Sequence, residues 1–134
     1  MNRSLALMLP LLVSGTAYAQ ACWSEWEYDG QWLIRANQCS ENVSLKDFEK
    51  GFCKVRVQGD QERKAAKCPS AGKTKDGTSV IVTSVVARCV GLKPPGADGE
   101  ATKVYYSSPT FQRDKEGLQS VCAAARGRWL EGAN

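Results

Sequence analysis

Six cysteines, Cys22, Cys39, Cys53, Cys68, Cys89 and Cys122, are the residues of this chain with the most reactive side chains, and histidine is absent from all 134 positions. Six thiols suit either a metal centre or a set of disulfides. Zinc sites place cysteines in pairs two to four residues apart, often with histidine. Here no Cys-x-x-Cys occurs and the nearest cysteines, Cys39 and Cys53, stand fourteen apart, so neither a metal nor a cofactor is expected. An even number of cysteines fits three disulfides made in an oxidising compartment. The lack of histidine removes the commonest general base and every histidine-dependent triad or dyad. Neither Gly-x-Gly-x-x-Gly nor a P-loop is present. Paired carboxylates remain: Glu25 and Glu27 would share a strand face beside Trp23 and Trp32, an arrangement that suits a glycan. The simpler reading of those four residues is an acidic strand edge with core tryptophans. The chain is therefore read as a binding protein, not an enzyme.

The N-terminus has the zones of an export leader. Met1-Asn2-Arg3 is basic, Leu5 to Val13 is apolar apart from Pro10, and Ala17-Tyr18-Ala19 is a small-x-small cleavage pattern. The apolar run is shorter than the roughly 20 residues that span a bilayer. The expectation is a cleaved signal peptide over 1–19 and a single globular, disulfide-stabilised domain over 20–134, in the periplasm or outside the cell, with no transmembrane segment. A minor alternative is an outer-membrane lipoprotein: Ala19-Gln20-Ala21-Cys22 is a degenerate lipidation box, but acylation of Cys22 would leave an odd number of thiols.

The elements that must position these cysteines can be read from pattern. Asp29-Gly30 between Trp23–Tyr28 and Gln31–Ala36 predicts a hairpin with Trp26 opposite Leu33 and Ser24 opposite Arg35. Ser44 and Gly51 bracket a short helix, with Asp47 completing a weak capping box. Phe52 to Gln58 alternates apolar and basic residues and predicts a second hairpin, returning over Arg63 to Cys68. Residues 69–78 read as a polar loop. Ser79 to Val90 predicts a central strand covered on both sides, and 101–107 another. Asp114 would cap a helix from about Lys115 to Arg126 that Gly127 ends, with Leu118, Val121, Cys122 and Ala125 on one face. Trp129-Leu130 would form a last strand or plug the core. The fold class is α+β: a small disulfide-stapled antiparallel sheet, a short helix after the first hairpin and a C-terminal helix packed on the sheet. On this layout the expected disulfides are Cys22–Cys39, Cys53–Cys68 and Cys89–Cys122. Trp23-Ser-Glu-Trp26 resembles the opening of thrombospondin type 1 repeats over four residues; the Cys-Ser-x-x-Cys-Gly that follows there is missing.

Charge is unevenly placed. Residues 20–49 carry six acids and two bases, residues 50–75 eight bases and two acids. The expected binding surface is the basic hairpin, through Lys54, Arg56, Arg63, Lys64 and Lys67, and the expected occupant a protein partner, acidic in charge, as for an inhibitor, an immunity protein or an envelope accessory subunit. The competing functions are an envelope polyanion-binding module and a carboxylate-dependent, glycan-acting enzyme; export argues against nucleic acid.

Overall fold

Asp29 and Gly30 both take positive φ, 50° and 74°, the backbone of a two-residue turn whose twist matches the strands beside it. They join β1 (Gln20–Tyr28) to β2 (Gln31–Ile34), with Trp26 opposite Leu33 as expected. The computed structural model describes residues 20–76 and 79–132; the expected leader over 1–19 lies outside the described residues. The hairpin is shorter than its sequence suggests. At Arg35–Asn37 the chain makes one turn of 3-10 helix, and Ala36 and Asn37 carry positive φ. Arg35 thereby leaves the ladder, and the partner of Ser24 is Glu62.

β3 (Gln38–Val43) then returns along β1. Ser44 caps α1 (Leu45–Glu49): its hydroxyl oxygen accepts the Asp47 N–H and its O–H donates to the Asp47 carboxylate. The helix ends as its sequence predicts. Gly51 takes φ 82°, and the Gly51 and Phe52 N–H groups close onto Phe48 and Asp47, a Schellman arrangement that a glycine makes easy.

The expected second hairpin does not form. Residues 52–60 run in successive turns, marked by Lys54 N–H to Gly51 O and Asp60 N–H to Val57 O. The basic residues that follow build β4 (Gln61–Ala65), which pairs with β1 rather than with 52–58. An open edge on β1 and a bidentate Arg35–Asp60 contact, 2.8 Å at each nitrogen, fix where β4 begins. The expected polar loop at 69–78 is largely β5 (Ala71–Asp76), antiparallel to β6 (Ser79–Leu92). Its inward residues are Gly72 and Thr74. A Cβ on Gly72 would collide with the Ile34 side chain, so apolar bulk is excluded there and the strand looks polar.

β7 (Ala101–Tyr106) lies between β3 and β6, and β8 (Arg128–Glu131) pairs with the other edge of β6. β6 is central only in its second half: the first half pairs with β5 and leaves Val82 67% exposed. α2 (Pro109–Ala124) starts a turn and a half before the expected Asp114. Ser108 accepts the Phe111 N–H at 2.9 Å and Pro109 occupies the first turn, where no N–H is needed. The expected stripe is also only partly inward: Cys122 is buried, whereas Val121 is 66% exposed. At its end the left-handed residue is Arg126, not Gly127. Gly127 is required for another reason: a Cβ there would strike the sulfurs of Cys89 and Cys122.

The disulfides are Cys22–Cys53, Cys39–Cys68 and Cys89–Cys122. The first two correct the expected pairs. Cys22 stands opposite Ser40, so Cys22 and Cys39 point to opposite faces of the sheet and cannot meet. One disulfide serves each of three apolar clusters. Cys39–Cys68 joins Ala21, Ile34, Val85, Val104 and Tyr106 on one face. On the other face Cys89–Cys122 packs with Ala87, Tyr105 and Phe111, and Cys22–Cys53 with Val43 and Ala101. The architecture is the expected α+β sheet with its C-terminal helix. Among the described residues no helix is long and apolar enough to cross a membrane.

Candidate binding cleft

The two clusters on the helix-bearing face do not touch along β7. Alternation sends Ala101 into one and Tyr105 into the other, and Lys103 into the gap between them. Register shows what lies beside it. Cys22 is opposite Ser40, Ser40 opposite Lys103, and Lys103 opposite Cys89. The four side chains form a row across one face, with a disulfide-bonded cysteine at each end. Cys22–Cys53 ties the 52–56 segment to the sheet on one side, and Cys89–Cys122 ties α2 on the other. Between these two walls runs a cleft floored by Ser40 and Lys103.

Phe52 divides the cleft. One half, about 520 Å³, is lined by Phe52, Arg56, Leu92, Pro94, Pro95 and Val121 among others; the second, about 210 Å³, by Arg35, Gln38 and Lys54. Ser40, Phe52 and Lys103 border both halves. The Lys103 ammonium has no hydrogen bond or ion pair among the described residues. Burial lowers its pKa, with no neighbouring charge to offset the effect. Lys54 and Arg56 are exposed at the rim and likewise have no carboxylate partner among the described residues. Arg35 is committed: its guanidinium bonds Asp60, which raises its own pKa and lowers that of Asp60.

The five basic residues expected to form one surface are thus separated. Lys54 and Arg56 reach the cleft. Arg63 and Lys64 sit next to each other on β4 and point to opposite faces. Arg63 Nε donates to Glu25 at 2.7 Å and its guanidinium lies over the Trp32 ring, 5.6 Å from the centroid. Lys64 lies 3.5 Å from Glu62 and over the Phe48 ring. Lys67 is exposed beyond the end of β4. Lys103 was missed by sequence reasoning, although a signal exists: it is the one charge inside the β7 run Ala101–Tyr106, at a position whose neighbours on that face are buried.

A second cleft, about 430 Å³, lies on the opposite face where β2 and β5 run side by side without a ladder. Trp23, Glu25, Trp32, Ile34, Gly72 and Lys73 border it. It holds the expected aromatic and acidic residues, but Glu25 is neutralised by Arg63, and Glu27 is exposed and does not line it. All six cysteines are in disulfides, and no cluster of three metal-ligating side chains occurs among the described residues. Comparisons of the chain with family models, with curated proteins and with solved structures find no match.

Proposed function

We propose that this chain is an exported binding protein that catalyses nothing and engages an acidic protein partner at the Lys54, Arg56 and Lys103 cleft. One observation carries the reading: three cations converge on a single concave site without a counter-ion among the described residues. The half-buried cation on the other face, Arg63, is by contrast paired, with Glu25. Retaining an unpaired ammonium away from water opposes folding, and a complementary partner offsets that cost. Three disulfides and a leader-like N-terminus support a periplasmic or secreted location. Cys22, bonded to Cys53, has no thiol left for an acyl anchor. The absence of histidine and of free thiols supports binding over catalysis.

The test places a photo-crosslinking residue at position 54 or 56, with position 82 as a control outside the cleft. The expected result is one protein captured from 54 and 56 and not from 82. Its association rate should fall with salt and drop about tenfold or more in Lys54→Glu/Arg56→Glu, in line with steering effects. Capture from all three positions alike, or an unchanged rate in the double variant, would overturn the reading. Binding of lipopolysaccharide in place of protein, with a steep salt slope, would assign the polyanion function instead. Oligosaccharide turnover lost in Glu25→Gln and Glu27→Gln would assign the enzyme.

A further inference from the structure

The cleft does not treat all anions alike, because its floor and its larger wall differ in polarity. The floor offers one ammonium, Lys103, and one hydroxyl, Ser40. The wall beside them is apolar: Leu92, Pro94, Pro95, Val121 and the Phe52 ring. A phosphate dianion needs several converging N–H donors, often a guanidinium fork. Here the floor supplies one ammonium, and the one guanidinium of this half, Arg56, stands exposed at the rim, so a phosphate dianion seated on the floor would keep part of its charge unpaired beside an apolar surface, which is unfavourable. A carboxylate carries one negative charge, matching the single ammonium. At about 520 Å³ the larger half also has room for an apolar side chain next to that carboxylate.

We infer that the cleft takes an acidic side chain of the partner together with its apolar neighbour, the carboxylate meeting Lys103 Nζ and Ser40 Oγ, and the apolar group lying against Leu92, Pro94, Pro95 and Val121. This rests on the acidic-partner reading for the identity of the carrier alone. The walls favour tight seating. The 52–56 segment and α2 are each covalently tied to the row that contains Lys103, so these two segments have less freedom to lose on binding. Val121, an apolar residue 66% exposed on a helix whose Cys122 is buried, gains a contact it otherwise lacks.

The probe is the blocked dipeptide acetyl-leucyl-glutamyl amide, titrated into the oxidised protein and followed by amide chemical shifts. Its glutaminyl counterpart removes only the charge, and acetate removes only the apolar body. The expected result is saturable shifts at Ser40, Phe52, Thr102 and Val121, with both controls at least tenfold weaker. Lys103→Met should fold and bind the probe at least tenfold more weakly, and Lys103→Arg should restore most of the affinity. Equal binding of the glutaminyl peptide, wild-type affinity in Lys103→Met, or shifts centred on Trp23 and Trp32 would each overturn the proposal. If Lys103→Met does not fold, the charged and uncharged peptides on the wild-type protein still decide it. Lys54→Glu/Arg56→Glu should also weaken the probe, because Arg56 lines the same half, but by less than Lys103→Met does. A failed dipeptide test beside a positive rim result removes the cleft and leaves the rim.

Discussion

Beside the cleft beneath the β1–β2 hairpin, Arg63 is held at 2.7 Å by Glu25 and lies over the Trp32 ring, two residues that line it. Across the sheet, Lys103 lies on the floor of the other cleft between two apolar clusters and meets no carboxylate among the described residues. The half-buried cation of one site is paired internally; that of the other is left open. Both arise from the same alternation of neighbouring residues on short strands, so the sheet does not explain the difference. The placement of counter-charge does. Glu25 and Arg63 share a face because β4 adds to β1 in a register that puts Trp23 opposite Arg63. The residues opposite Lys103 are Ser40 and Cys89, neither of which is charged. An internally paired charge cluster contributes to stability and is poorly available to a ligand. An unpaired one costs stability and is available, a difference that perturbation can measure.

The largest expected effect separates the two faces covalently. Replacing Cys22 and Cys53 by serine should cost about 2–4 kcal/mol in unfolding free energy. It should loosen the 52–56 wall of the open cleft, seen as amide shift changes at Ser40 and Lys103, and leave Arg63 and Trp32 unmoved. Changes of equal size on both faces would show that the clefts are not independent.

Next is the ion pair where β4 begins. Asp60→Ala should cost about 2 kcal/mol by chemical denaturation, since it strips a bidentate charged contact from Arg35. The Asp60 and Asp47 carboxyls both have lowered pKa values, Asp60 through its bond from Arg35 and Asp47 chiefly through the Asp98 N–H. A lowered folded pKa means that their stabilising contribution is complete above the unfolded carboxylate value near 4. It is lost as pH falls from there through the folded pKa. Unfolding free energy should therefore decline below about pH 4, and less steeply in Asp60→Asn than in the wild type. An identical acid slope in that variant would discount the pair.

Glu25→Gln and Lys103→Met sharpen the contrast because their expected signs are opposite. The first takes the charge partner from half-buried Arg63 and should destabilise by about 1 kcal/mol or less. The second removes an unpaired, partly buried charge and keeps the bulk; it should stabilise by about 1 kcal/mol. Thermal unfolding of the two variants reads both, and destabilisation in each would erase the distinction. Smallest of all, Lys67→Ala should shift stability by less than about 0.5 kcal/mol and leave probe binding unchanged.

Local features were legible in the sequence. Asp29-Gly30 sets its turn, Ser44 its cap, Gly51 its helix end and the valine-rich 79–90 run its strand, because each depends on a few adjacent residues. The Cys89–Cys122 pair was legible only in part: the inward helix position of Cys122 reads from pattern, whereas its partner followed by exclusion from two pairs that the fold does not make. Non-local choices were not. Residues 52–58 alternate like a strand, but alternation does not say which edge is open, and β4 took the free edge of β1. β5 was hidden because its inward residues are not apolar: Gly72, where Ile34 leaves no room for a Cβ, and Thr74. The open cleft was half legible: Lys54 and Arg56 stood out as charges, and Lys103 is readable as the one charge of the β7 run, but its lack of a counter-charge follows from what β3 and β6 place beside it.

The interleaved order of Cys22–Cys53 and Cys39–Cys68 has a kinetic consequence. Cys22 and Cys39, and Cys53 and Cys68, stand roughly half as far apart in the chain as the native partners. Closing a loop of half the length is easier by about 0.6 kcal/mol, so oxidation of the unfolded chain runs first toward the pairs the folded sheet forbids. Reaching the native set then requires thiolate attack on those early bonds, which a disulfide isomerase accelerates. Refolding from the reduced state without such a catalyst should accumulate isomers with the short-range Cys39–Cys53, Cys53–Cys68 and Cys22–Cys39 bonds, separable by peptide mapping. Direct appearance of the native pairs would mean that β1 and β3 dock before any sulfur is oxidised.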